Sequence, residues 1–131
     1  GLRSSPERTD GPVPFGDAVA DATAKLVKDL SARAVLVLSH GGRSAVTMTA
    51  ARPAAPVVVV SGSAAVCRRL ALCWGAIPVL AGGVGSENPN HIARRVAVEL
   101  GLAETGQYIV LVRGFDADPH LNSPTITLLR V

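Results

Sequence analysis

Residues 57–80 read VVVVSGSAAVCRRLALCWGAIPVL, and the reading of this run decides the fold. Val57 to Val60 is an unbroken β-branched run, the pattern of a strand covered on both faces. Ser61-Gly62-Ser63 turns the chain, Ala64 to Cys73 has helical character, and Ile77 to Leu80 is a second apolar run. Two buried strands joined by a helix require a crossover connection, and such a crossover makes the strands parallel neighbours in one sheet.

The same unit extends in both directions. Upstream, Ala34 to Leu38, AVLVL, is another continuous apolar run, and Arg43 to Ala51 forms a short helix that must stop before Arg52-Pro53. Before it, Phe15, Val19, Ala22, Leu26 and Leu30 recur at spacings of three and four, which predicts a helix with those residues on its apolar face. Asp17 and Asp21 early and Lys25 and Lys28 late match the helix dipole. Downstream, AGGVGSENPN (81–90) is an irregular connection, His91 to Leu100 a helix ended by Gly101, and Tyr108 to Arg113 and Thr125 to Val131 two last strands. No helix separates that final pair, so it is antiparallel. The expectation is an α/β fold of three layers, α/β/α, around a five-stranded, mostly parallel sheet. Residues 1–13, GLRSSPERTDGPV, lack apolar periodicity and read as a linker or frayed terminus, which leaves 14–131 as one domain.

Composition narrows the function classes. With 48% hydrophobic residues and four aromatics in 131 positions, the core is aliphatic, as in covered sheets. A net charge of +3 spread along the chain gives no nucleic-acid tract. No run is long enough to span a bilayer and no signal pattern opens the chain, so a cytoplasmic location is expected. A start at Gly1 suggests an excised or processed fragment. Cys67 and Cys73 read as buried, reduced thiols. His91 and His120 have no companions at ligand spacing, Asp116 and Asp118 read as solvated turn carboxylates, and no metal is expected. Ser61-Gly62-Ser63 lacks the second glycine of a nucleophile elbow.

Ser39-His40-Gly41-Gly42-Arg43-Ser44 leaves a buried strand and enters a helix, the place where peptide N–H groups converge on anions. The two glycines permit close approach, the serines offer hydroxyls, Arg43 a charged fork and His40 a pH-dependent donor. All six groups donate and none is an acid that would activate a nucleophile, so the loop reads as binding rather than catalytic. Phosphate cradle and plain tight turn with a serine cap both fit it; the spacing is not that of a nucleotide P-loop. Gly82-Gly83-Val84-Gly85 reads as a mobile connection.

Four ordered patterns closely resemble the carboxy-terminal domain of pyruvate kinases: Gly16-Asp17-Ala18-Val19-Ala20, Gly41-Gly42-Arg43-Ser44-Ala45, Ala51-Arg52-Pro53-Ala54-Ala55-Pro56, and Arg68 through Leu80 with Trp74-Gly75 and Pro78-Val79-Leu80. The resemblance runs from Phe15 to Val131. It implies a five-stranded mixed sheet, no catalytic residue and no cofactor in this chain, and a separate barrel that transfers phosphate from phosphoenolpyruvate to ADP with Mg and K ions. By itself the chain is then expected to be inactive. The resemblance also implies a homo-oligomer, a tetramer in the complete enzyme, and a phosphorylated effector held by Ser39, His40, Gly41, Gly42, Arg43 and Ser44. Two stretches depart from the pattern. Gly41 stands where members activated by fructose 1,6-bisphosphate often have a hydroxyl, and Asp116 and Asp118 bring negative charge into FDADPHLNSPTIT (115–127). A monophosphate effector, or none, is as consistent as a bisphosphate. The alternatives are a free-standing sugar-phosphate-binding protein or small enzyme on this fold, and an assembly module whose loop binds nothing.

Overall fold

The computed structural model describes residues 15–39, 43–72, 75–114 and 123–131. In order, the elements are α1 (Phe15–Leu30), β1 (Val35–Leu38), α2 (Arg43–Ala50), β2 (Val57–Ser61), α3 (Ala64–Leu70), β3 (Ala76–Leu80), α4 (Pro89–Glu99), β4 (Tyr108–Arg113) and β5 (Thr125–Arg130). One five-stranded sheet runs in the order β3-β2-β1-β4-β5. β1 pairs in parallel with β2 (Val37↔Val59) and β4 (Val37↔Val112), β2 in parallel with β3, and β4 antiparallel with β5 (Val110↔Leu128). The expected fold class, strand set and antiparallel final pair are all observed.

The continuous apolar runs have a direct structural cause. Alternate residues of the central strands point to opposite faces, and both faces are covered. Val35, Val37, Val57, Val59, Val110 and Val112 meet α1, α2 and α3 on one face. Leu36, Val58, Val60, Ile109 and Leu111 meet α4, through Ile92, Ala93, Val96 and Ala97, on the other. Complete burial of each such side chain is worth about 1.5–3 kcal/mol, so these two layers dominate the favourable side of folding. The three-plus-one arrangement follows from handedness: β1 to β2 to β3 steps one way across the sheet, while α4 carries the chain back past β1 to β4 and so lies on the opposite face.

Helix α1 has the expected period with a different phase. The residues it buries are Ala20, Thr23 and Val27, whereas Ala22 is exposed, Leu30 is 41% exposed, and Val19 and Leu26 are only half-buried. Small residues bring this helix close to its neighbours, with Gly16 3.6 Å, measured from an ideal Cβ, from the Thr47 methyl. Thr23 tolerates burial because its hydroxyl donates to the Val19 carbonyl at 2.8 Å. Ser31, in the left-handed region at φ 52°, ends the helix, and Ala32 N–H donates to Val27 O in the manner of a Schellman cap.

Two helix boundaries also move. α3 stops at Leu70 rather than at Cys73, because Leu72 N–H tightens onto Arg69 O and the chain must reverse through Gly75 at φ 85° to enter β3. Trp74, whose indole was expected beneath the third strand, lies with Cys73 outside the described residues. α4 begins two residues early, at Pro89, since Asn88 is its N-cap and accepts from Asn90 N–H. Cys67 is half-buried rather than buried, so the expectation of a core thiol does not hold for it. The Gly82-Gly83-Val84-Gly85 connection, expected to be mobile, is held by hydrogen bonds: Glu87 N–H donates to Gly83 O, and Arg95 donates from one guanidinium nitrogen to both Glu87 carboxylate oxygens at 3.0 and 2.7 Å and from the other to Gly82 O.

Candidate functional site

The strand order reverses beside β1. Chain leaving β1 travels toward β2 and β3, whereas β4 arrives on the other side, so the carboxyl ends of β1 and β4 form the topological switch point at which doubly wound folds bind ligands. Ser39 and the first turn of α2 stand there. Ser39 directly follows β1 and is 3% exposed; its N–H donates to Val60 O at 3.2 Å and is committed to the sheet. His40, Gly41 and Gly42 lie outside the described residues. Arg43 and Ser44 form the first turn of α2, whose amino-terminal peptides have no intrahelical acceptors and carry partial positive charge. The described ones, Ser39, Arg43 and Ser44, therefore bracket one strand-to-helix junction at the centre of the sheet.

The other wall of the crevice is the end of β4, which sequence reasoning did not single out. Val37 is in register with Val112, so Arg113 is level with Leu38 on the neighbouring strand. Arg113 is exposed and makes no ion pair among the described residues. Gly114 follows at φ 97°, with its carbonyl accepting from Ser123 N–H at 2.8 Å; a Cβ there would collide with the Ser123 carbonyl. The only sequence signal for this wall was a cation next to a glycine at a strand end, and a register was needed to place it. Asp116 and Asp118 lie outside the described residues.

Elsewhere, two described cations are paired with carboxylates, Lys25 with Asp29 and Arg95 with Glu87. The Arg95 guanidinium holds its proton more tightly than usual, first through its hydrogen bonds to Glu87 and then through the charge of that carboxylate. Lys25 is likewise raised by its hydrogen bond to Asp29 and then by the Asp29 charge. A cavity of about 170 Å³ lies between α1 and α2, lined by Asp17, Ala20, Asp21, Thr47, Ala50 and Ala51. Its two carboxylates disfavour a phosphate. No group of three His, Cys, Asp or Glu side chains that would hold a metal occurs among the described residues, and no described helix is long and apolar enough to cross a membrane.

A central sheet in this order can be compared with known proteins. The profile of the pyruvate kinase alpha/beta domain matches residues 17–126. The chain belongs to that family. The pyruvate kinase of Clostridium acetobutylicum is 32% identical over 117 residues, which cover 88% of this chain, and that of Methylorubrum extorquens is 30% identical over 113 residues. The Cryptosporidium parvum pyruvate kinase, solved in complex with ADP, superposes with a TM-score of 0.74 at 19% identity over 91% of this chain, which shows a shared fold. This pyruvate kinase domain spans about a quarter of those relatives, 24% of the Clostridium and Cryptosporidium proteins and 23% of the Methylorubrum protein.

Proposed function

We propose that this chain is the effector-binding and self-associating domain of a pyruvate kinase subunit, whose barrel, in the same subunit, transfers phosphate from phosphoenolpyruvate to ADP with Mg and K ions. What supports the reading is the junction at the switch point, where Ser39 ends a buried central strand and Arg43 and Ser44 open α2. Converging peptide N–H groups, the Arg43 fork and glycines that admit a close approach suit a phosphorylated small molecule. The segment carries no carboxylate to activate a nucleophile, which favours binding over catalysis. Regulation follows only if the ligand favours one arrangement of the assembled subunits over another.

Calorimetric titration of the chain with fructose 1,6-bisphosphate, glucose 6-phosphate, ribose 5-phosphate and AMP tests the reading. At least one is expected to bind, and Arg43→Ala is expected to abolish that binding while changing unfolding free energy by no more than about 0.5 kcal/mol, as substitutions at surface junctions do. Binding that survives Arg43→Ala would place the ligand elsewhere, and loss of cooperative unfolding in the variant would make Arg43 a structural residue.

A further inference from the structure

We infer that Arg94 and Pro124 fix the register in which the β5 edges of two copies of this chain pair, with Ile126 of one opposite Leu128 of the other; the inference rests on the self-association reading above. Val131 N–H donates to Gln107 O, so the odd-numbered residues of β5 bond to β4 and the peptide groups of Ile126, Leu128 and Arg130 point outward from the sheet. That outward row is bounded at both ends. At its start Pro124 offers a carbonyl on the same side and no N–H. At its end Arg94 reaches round from α4, and its Nε donates to the Arg130 carbonyl at 3.0 Å, so that acceptor is filled from within the chain.

The two ends complement each other. When two β5 strands pair antiparallel about a twofold axis at Thr127, Ile126 and Leu128 exchange hydrogen bonds with Leu128 and Ile126 of the second copy, and Arg130 N–H meets the Pro124 carbonyl. The Arg130 carbonyl then faces a proline with no donor to give, and Arg94 supplies the one it lacks. Every outward donor and acceptor from Pro124 to Arg130 is used. A register centred on Leu128 instead brings the Ile126 N–H of the second copy to the Arg130 carbonyl, where Arg94 already donates. A register centred on Ile126 sets the Leu128 carbonyl against Pro124, which cannot donate. Side chains make the same choice. Pairing about Thr127 puts Ile126 opposite Leu128, which is 42% exposed in the single chain, on the face where Ile126 packs against the core. Pairing about Leu128 would put Ile126 opposite the Arg130 cation.

Disulfide formation reads the register, because a residue faces its own counterpart only on the axis, about 4.5–5.5 Å away and within reach of a disulfide. Thr127→Cys, Leu128→Cys and Ile126→Cys variants of the 131-residue chain are oxidised, with the wild-type chain, which keeps Cys67 and Cys73, as the control. Thr127→Cys is expected to give covalent dimer well above the control, and the other two to stay near it. Adding Arg94→Ala frees the Arg130 carbonyl and should raise the dimer yield of Leu128→Cys by about 10-fold, the net worth of one hydrogen bond, whereas Arg94→Lys, which keeps a donor, should not. Cross-linking that is strongest in Leu128→Cys or Ile126→Cys overturns the register and keeps the pairing of β5. An unchanged pattern in Arg94→Ala overturns the part given to Arg94. A wild-type chain that sediments as a dimer while none of the three variants cross-links overturns the inference alone, and one that sediments as a monomer at every concentration overturns the self-association reading with it.

Discussion

At the scale of single residues, Gly101 and Gly114 contrast a glycine that needs only a left-handed backbone with one that also needs space. Gly101 and Gly114 both have positive φ, 70° and 97°, but nothing lies within 4 Å of a Cβ built on Gly101, whereas one on Gly114 meets the Ser123 carbonyl and the Pro124 Cα. Gly101→Ala is expected to cost about 1 kcal/mol, the backbone penalty alone. Gly114→Ala adds a collision with backbone that cannot move without breaking the Ser123–Gly114 hydrogen bond, and should cost more than about 2 kcal/mol. Urea titrations of the two variants check the difference, and equal costs would show that the β4–β5 connection yields freely. The same residues show what a sequence can carry. The β1–α2 junction was legible because strand and helix are contiguous in the sequence there. Arg113 was not legible, since its proximity to Leu38 is a property of parallel register and not of chain neighbourhood.

At the scale of elements, periodicity sets type and order but not always phase. The apolar set Phe15, Val19, Ala22, Leu26 and Leu30 gave a correct helix and a rotated face, because Thr23 counts as polar in a pattern although its hydroxyl is satisfied within the helix by Val19 O. The face that packs is built from small residues, which mark close approach and have little weight in a hydrophobicity pattern. This makes a sharp test. Ala20→Leu forces three methylene-sized groups into a contact only 1% exposed and is expected to destabilise by about 1–3 kcal/mol, whereas Ala22→Leu, two positions on and exposed, should stay within about 0.5 kcal/mol. Thermal melts resolve this, since 1 kcal/mol shifts the midpoint of a domain this size by about 4 °C or more. The reverse ranking would return the face to the original stripe. The early start of α4 has a similar cause: Asn88-Pro89 is a cap signal embedded in a stretch whose glycines and asparagines read as loop.

At the scale of the whole molecule, the two edges of the sheet are unequal. Ala81 N–H donates to Ser61 O, so odd-numbered residues of β3 face β2 and the even ones face outward. Pro78 is therefore one of the outward positions, and its missing N–H interrupts the β3 edge as proline does at strands that must not pair further. β5 has no such device. Val131 N–H donates to Gln107 O, which turns the peptide groups of Ile126, Leu128 and Arg130 away from β4, and among these the Arg130 carbonyl accepts from Arg94 Nε at 3.0 Å. The side chain of Leu128 is 42% exposed beside them. An edge rich in β-branched and aliphatic residues with outward donors pairs readily with another strand, and antiparallel pairing of two copies of β5 about a twofold axis satisfies both at once. In the self-associating domain proposed above, sedimentation velocity over a concentration series should then show a reversible dimer. Leu128→Pro, which removes an outward N–H and leaves the β4 ladder its donors, is expected to shift it to monomer while the circular dichroism spectrum keeps its α/β shape. A wild-type chain that sediments as a monomer throughout, or a Leu128→Pro dimer as stable as the wild type, would take assembly away from this edge.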